Sequence, residues 1–279
     1  MREVAADYEA LLRIAAFLAV FAAMGGWELL APHRRGAVPG RRRNNLALLA
    51  VDVAVLRVFA PGAAIAVAFM AEERGWGLLN TWAPSPWIGI PIAVLFLDLV
   101  VYFQHVALHA VPALWRLHRV HHSDLHFDVT TAVRFHPAEI LISTAIKCAA
   151  VAAVGAPVVA VLAFEVILNA MAMFNHGNVR MPASIEPALR ALLVTPDMHR
   201  VHHSRDARDQ VVNFGFNLSL WDRFLGTYRG EAVAGGQPVA LGVDGLGPRD
   251  SVEVVRLLAQ PALDAGAAKP LADPGTPRF

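Results

Sequence analysis

Residues 117–123, "LHRVHHS", return almost unchanged as "MHRVHHS" at residues 198–204. Each copy places histidines at positions i, i+3 and i+4, which lie on one face of a helix with Cβ atoms about 5–6 Å apart. Two copies of so polar a cluster in a largely apolar chain suggest that both serve one centre. The repeat therefore predicts two helical segments that meet and direct their imidazoles at a common point.

The composition predicts a membrane protein. Of the 279 residues, 56% are hydrophobic and 17% are charged, which lies outside the range of ordinary soluble domains. A formal net charge of +1 and the absence of a lysine-rich block exclude nucleic acid as a partner. The single cysteine, Cys148, allows neither a disulfide framework nor a thiolate metal site.

Five apolar segments approach the roughly 20 residues that cross a bilayer. They are residues 11–31, 46–70, 87–108, 140–154 and 158–174. A basic block at 33–43 follows the first segment in place of a cleavage site, so we interpret that segment as a retained helix. The last two flank the helix breaker "GAP" and predict a hairpin, whose full crossing of the membrane stays open. The predicted fold is all-α, a polytopic membrane bundle of four to five spans with a cytosolic, helical, histidine-rich cap.

Charge predicts the orientation and the organisation of the chain. The arginines of residues 33–43 would lie on the cytoplasmic side, which places every histidine cluster on that face. We expect residues 1–230 to form the membrane-embedded domain and residues 231–279 a loosely docked cytosolic tail rich in Pro, Gly and Ala. Twenty-two arginines against two lysines favour a bacterial inner membrane.

The histidines predict a metal centre. Eleven of the twelve lie between residues 105 and 203, and His105 and His109 add a further i, i+4 pair. Neutral imidazole suits iron, zinc and copper, and so many imidazoles would otherwise repel one another when charged. Eight clustered histidines exceed the needs of one ion and predict a pair: His105, His109, His118, His121, His122, His199, His202 and His203. His176 and His136 could complete the shells, whereas His33 and His126 are not expected to bind metal.

Asp98 lies seven residues before His105, two helical turns back on the same face. It could accept an imidazole N–H and fix the tautomer of that histidine. It could equally belong to a helix-packing pair. Both interpretations stay open at the level of sequence.

Six segments of the chain, in this order, resemble the fatty acid hydroxylase/sterol desaturase superfamily. They are "HVALH", "HRVHHSD", "RFHPAE", "FNHGNVRMP", "TPDMHRVHHS" and "WDRFLGT", and the resemblance covers residues 98–227. It implies two iron ions bound by the histidines named above, O2 as cosubstrate and an external electron donor. No fused haem or flavin domain is visible, so the donor would be a separate protein of reductase, ferredoxin or cytochrome type. The implied substrate is a membrane lipid, fatty acyl, sterol or related, and hydroxylation is favoured over desaturation.

Two functions of other classes compete with this interpretation. A histidine-rich membrane protein that transports or stores metal would carry its ligands inside the spans along a path. Here the histidines gather at helix ends and in the cap, which disfavours transport. A metal-dependent hydrolase would need carboxylates that activate water, and the acids near the clusters show no recognisable hydrolase spacing.

Overall fold

The computed structural model describes residues 2–36, 38–233, 235 and 239–263. In those residues the chain forms helices and turns, with three isolated β-bridges and no β-strand. Two 3-10 turns, Thr131–Val133 and Gln260–Ala262, accompany twelve α-helices. In chain order these are α1 (Arg2–Leu30), α2 (Arg41–Phe59), α3 (Ala63–Arg74), α4 (Leu78–Trp82), α5 (Pro86–Ala110), α6 (Pro112–His122), α7 (Pro137–Val154), α8 (Val158–Asn175), α9 (Glu186–Arg190), α10 (Pro196–His202), α11 (Leu220–Phe224) and α12 (Val254–Ala259).

The predicted all-α fold is confirmed, and the described residues contain five stretches long and apolar enough to cross a membrane. The predicted hairpin is confirmed too, because Gly155 ends α7 in the left-handed conformation at φ 69° and α8 begins at Val158. Each hairpin helix has 18 residues, or about 27 Å, close to the roughly 30 Å of a hydrocarbon core.

The second predicted span, residues 46–70, lies within one candidate membrane span, Arg41–Trp82, which is not one continuous helix. The stretch divides into α2, which ends at Phe59, and α3, which begins at Ala63. Pro61 lies in the break, where its missing N–H cannot continue a helix. Gly62 takes a left-handed conformation at φ 60° just before α3. The first half, α2, packs against α7, the turn at Thr131–Val133 and α12, whereas α3 packs against both hairpin helices.

The bundle centres on α5 and the α7–α8 hairpin, with α1 against α8 and α3 against both hairpin helices. Its apolar core includes Leu97, Val151 and Phe164, all essentially buried. One buried carboxylate, Glu165 of α8, pairs with Arg13 of α1 at 2.9 Å and with Lys147 of α7. Opposite charges inside a bundle tie its helices together because each charge would be costly in lipid alone.

The tail was expected to be loosely docked, and its described part is not. Residues 239–263 pack on the cap, and Leu257 of α12 is fully buried against Leu48 and Val120. Residues 264–279 lie outside the described residues.

Candidate metal centre

Helix ends bring nine histidines together at one end of the bundle. α5 contributes from its last two turns, α6 and α10 carry the two HRVHH copies, and one histidine immediately follows α8. Prolines at the start of α5, α6 and α10 favour helix initiation there. The Thr195 hydroxyl caps α10 by accepting from the backbone N–H of Met198 at 3.4 Å. The histidine repeat is therefore held on two short, well-initiated helices.

The nine histidines fall into two buried groups, in each of which one nitrogen per residue lies within 4.8 Å of all the others. The five-histidine group consists of His105, His109, His118, His122 and His202. The four-histidine group consists of His121, His176, His199 and His203. The groups adjoin, since the rings of His122 and His203 stack with centroids 4.3 Å apart. Each group could hold one metal ion.

Backbone carbonyl oxygens orient four of these rings by accepting a hydrogen bond from Nδ1. The pairs are His105 with Phe214 at 2.8 Å, His121 with Arg134 at 3.1 Å, His176 with Ala172 at 2.7 Å and His202 with Val212 at 2.7 Å. A carbonyl oxygen only accepts, so Nδ1 carries the proton and Nε2 keeps a lone pair. This tautomer turns four Nε2 atoms toward the interior of the cluster as ligands.

Two pairs of these Nε2 atoms face each other without a proton between them. His105 Nε2 lies 3.0 Å from His202 Nε2, and His121 Nε2 lies 3.0 Å from His176 Nε2. Two lone pairs at this distance repel in a buried site. Two ligands at right angles around an ion, each at about 2.1 Å, would lie about 3.0 Å apart. The arrangement therefore fits a metal ion in each group.

Several other ring nitrogens are buried and have no hydrogen-bond partner among the described residues. They include both nitrogens of His109 and of His122, and the Nε2 atoms of His118 and His203. A buried polar atom without a partner is costly unless a ligand satisfies it. These nitrogens add to the fit with metal.

Burial keeps six histidines of the two groups neutral, which is the form that binds metal. Burial, followed by the neighbouring imidazoles, holds the pKa well below 6.5 in four of them: His121, His122, His199 and His203. Burial also lowers the pKa of His176 to about 4 and that of His202 to about 3. At neutral pH these six imidazoles therefore present lone pairs instead of charge.

The structure distinguishes the two interpretations of Asp98 and adds a second acidic residue to the site. Asp98 accepts a hydrogen bond from the indole of Trp221 at 2.7 Å, which joins α5 to α11, and His105 is oriented by the carbonyl oxygen of Phe214. Sequence reasoning missed Glu139, which accepts from Nδ1 of His118 at 2.7 Å. Its place in "RFHPAE", one turn into α7, was the available signal.

His136 does not join either group. It precedes α7, where its Nδ1 accepts from the backbone N–H of Ala138 at 3.1 Å and its Nε2 lies 3.2 Å from the carbonyl oxygen of Leu258. His126, which was not expected to bind metal, also lies apart, and its Nδ1 accepts from the N–H of Phe127 at 2.8 Å.

The loop 211–215 supplies two of the orienting carbonyls, and Asp222 holds that loop. Its carboxylate accepts from the N–H groups of Phe214 at 2.7 Å and Gly215 at 2.8 Å, and from the Thr227 hydroxyl. A Cβ on Gly215 would lie 2.6 Å from that carboxylate, so only glycine fits there. The segments "NFG" and "WDRFLGT" thus position ligands without touching the cluster centre.

The chain is similar in sequence to a known lipid hydroxylase and to known monooxygenases. The family model described as fatty acid hydroxylase matches residues 90–227, and the resemblance seen in residues 98–227 is confirmed. The ornithine lipid hydroxylase OlsE of Rhizobium tropici is 29% identical over 167 residues, which cover 59% of this chain and 49% of that protein. The alkylglycerol monooxygenases of Danio rerio and Homo sapiens are 30% and 28% identical over 57% of this chain.

The chain spans about half the length of the first of these relatives and about a third of the other two, at 33% and 34%. No solved structure matches the chain.

Proposed function

Because residues 90–227 belong to the fatty acid hydroxylase family, we propose that the protein is an O2-dependent di-iron oxygenase that hydroxylates a C–H bond of a membrane lipid. The names of the relatives, hydroxylase and monooxygenase, favour hydroxylation over desaturation by the same centre. The substrate would be a fatty acyl, sterol or related lipid.

One observation carries the proposal: in each group, two unprotonated Nε2 atoms lie 3.0 Å apart and face each other. An all-imidazole shell suits iron, zinc or copper, and the match to the fatty acid hydroxylase family model favours iron. When bound, an iron pair supplies the reduction of O2 and the oxidation of an unactivated C–H bond. One oxygen atom enters the C–H bond of the lipid, and the other leaves as water after taking up two protons from solvent and two electrons from a separate reductase, ferredoxin or cytochrome.

The residues of the chain have three roles in this proposal. The nine histidines of the two groups hold the metal, and backbone carbonyls with Glu139 orient five of their rings. Aromatic side chains exclude water by packing on the histidine rings. The distances between ring centroids are 4.9 Å for Trp115 and His109, 5.2 Å for Phe127 and His203, 4.7 Å for Phe135 and His121, and 5.6 Å for Phe214 and His105. Exclusion of water strengthens electrostatic interactions and prevents side reactions.

The five apolar stretches support an integral membrane protein. The basic block at 33–43 supports a cytoplasmic location for the metal centre, and the arginine-rich composition supports a bacterial inner membrane. Lipid would then reach the centre from the bilayer, and the electron donor from the cytoplasm.

The rival function is a metal-handling protein without oxygen chemistry. It predicts ligands spread along the spans, whereas here they gather where the helices end.

Metal content per chain in mild detergent, measured beside a His121→Ala, His202→Ala double variant, tests the proposal. We expect close to two iron ions in the wild type and most of them lost in the variant. Incubation with membrane lipids, reductant and oxygen-18 should then give a lipid heavier by one labelled oxygen atom. Less than half an ion per chain, unchanged in the variant and not restored by ferrous iron, would overturn it. Loss of two hydrogens without oxygen uptake would indicate desaturation.

A further inference from the structure

The C-terminal strap, residues 250–263, lies beyond the family-matched region and packs on the first HRVHH helix. Leu257 is fully buried beside Val120 of α6 and Leu48 of α2. Val120 lies between the ligand positions His118 and His121. The strap therefore covers the side of α6 that faces away from the metal centre.

Buried polar contacts join the strap to α6. Arg119, 1% exposed, donates to the carbonyl oxygens of Gln260 and Leu263, the latter at 2.8 Å. The Gln260 side-chain amide donates to Ser123 Oγ and to the Asp250 carbonyl oxygen, both at 3.0 Å. Loosening of the strap would leave these buried groups unpaired, which is costly.

Arg134 connects the strap to a ligand. Its fully buried guanidinium donates four hydrogen bonds: to the Ser251 carbonyl at 2.8 Å, Asn45 Oδ1 at 2.8 Å, the Val120 carbonyl at 2.7 Å and Ser123 Oγ at 2.7 Å. The backbone carbonyl of the same residue accepts from His121 Nδ1 at 3.1 Å. The next residue, Phe135, stacks on the His121 ring at 4.7 Å with an interplanar angle of 8°.

We propose that the C-terminal strap, acting through Arg134, positions His121 for metal binding in the four-histidine group. Arg134 is then a positioning residue, because it acts through the ring it orients. The inference rests on the proposed function, since it assumes that this group holds an ion. The four-histidine group has one imidazole fewer than the other group, and Glu139 contacts a histidine of the other group only. Misplacement of the His121 ring should therefore weaken metal binding in the four-histidine group and leave the five-histidine group unchanged.

A matched pair of leucine variants tests the proposal. Leu257→Ala opens a cavity under the strap, and Leu97→Ala opens one in the transmembrane core, where Leu97 is 1% exposed. Proteins of all 279 residues would be loaded with iron-57. The release of iron to a chelator would be followed below the unfolding temperature, and the Mössbauer spectrum would identify which ion leaves. Gln260→Ala, which removes two hydrogen bonds without a large cavity, replaces Leu257→Ala if that variant does not fold.

We expect Leu257→Ala, Gln260→Ala and Arg134→Gln to release one of the two ions roughly 10-fold faster or more, with the other ion as in the wild type. Leu97→Ala should lower the melting temperature and leave both release rates unchanged. The proposal would be overturned if Leu257→Ala released iron at the wild-type rate, or if both leucine variants accelerated iron release equally. Either result would mean that the strap only packs on α6 and does not position His121. A wild type that binds no iron would contradict the proposed function instead.

Discussion

The two HRVHH copies are identical in sequence, but they distribute their histidines between the two groups in opposite ways. In the first copy, residues 118–122, the outer histidines belong to the five-histidine group and the middle one to the four-histidine group. In the second copy, residues 199–203, the outer histidines belong to the four-histidine group and the middle one to the five-histidine group. Each helix therefore bridges both candidate ions, so neither group can form without both copies.

The surroundings of the copies explain the reversal. The first copy meets His105 and His109 from α5, and the second meets His176 after α8. The copies also differ in their supports, because Glu139 orients His118 and the carbonyl oxygen of Val212 orients His202. A carboxylate raises the basicity of the histidine it contacts, so identical motifs need not bind metal equally well.

The largest effect is expected from removing the middle histidine of each copy. His121→Ala leaves three imidazoles in its group, and His202→Ala leaves four in the other. Each variant should lose one ion. For His121→Ala the loss of metal affinity should exceed roughly 10–100-fold, which is the typical effect of removing a residue that only hydrogen-bonds to a ligand. Chelator competition with iron counted per chain measures this. His126→Ala, a buried histidine outside both groups, is the control, and loss of both ions from either single variant would contradict separate groups.

Acid is expected to destabilise the metal-free protein. Burial lowers the pKa of His176 to about 4 and that of His202 to about 3, against 6.5 when unfolded. This stability is fully present above pH 6.5 and is lost as the pH falls toward the folded-state pKa, because the unfolded chain then binds more protons. Each histidine contributes at most about 1.4 kcal/mol per pH unit.

Melting temperatures of the metal-free protein between about pH 8 and pH 5 measure that loss. Replacement of either histidine by glutamine should make the melting temperature depend less steeply on pH between about pH 6.5 and pH 5. A slope unchanged in both variants would show that these histidines are not the groups that titrate on unfolding.

Glu139→Gln should affect the first copy alone. The amide keeps the shape of the side chain and removes the charge that holds the His118 N–H, so ion binding in the five-histidine group should weaken roughly 10–100-fold. Glu28→Gln is the matched control, since Glu28 is a buried carboxylate that accepts from the N–H groups of Val129 and Asn178. Equal weakening by both variants would assign the effect to lost buried charge in general.

The smallest effect is expected at His136. His136→Ala removes the cap of α7 and should cost about 0.5–2 kcal/mol of unfolding free energy, with the iron content unchanged. Thermal unfolding and metal analysis of the same sample measure the change in stability and in iron content. Loss of an ion would return His136 to the ligand set that the sequence suggested.

Local patterns predicted most of the fold and much of the candidate site. Apolar segments of sufficient length predicted the membrane bundle, and the i, i+3, i+4 spacing predicted which histidines face one point, because both depend on helix geometry alone. The same spacing could not distinguish His176, which joins a group, from His136, which caps a helix. It also missed the break at Pro61 within an otherwise continuous apolar stretch.

The sequence by itself determined that a helical membrane chain carries two equivalent histidine clusters, because composition and helical periodicity are local properties. Only the tertiary structure decided that the copies exchange their outer and middle histidines between groups, that Glu139 and not Asp98 supports a ligand, and that residues 250–263 cover α6. The physical reason is that hydrogen-bond partners and metal groups are set by which helix ends and loops meet in space. Residues more than a hundred positions apart, such as Arg134 and Ser251, carry no sign of that meeting in the sequence.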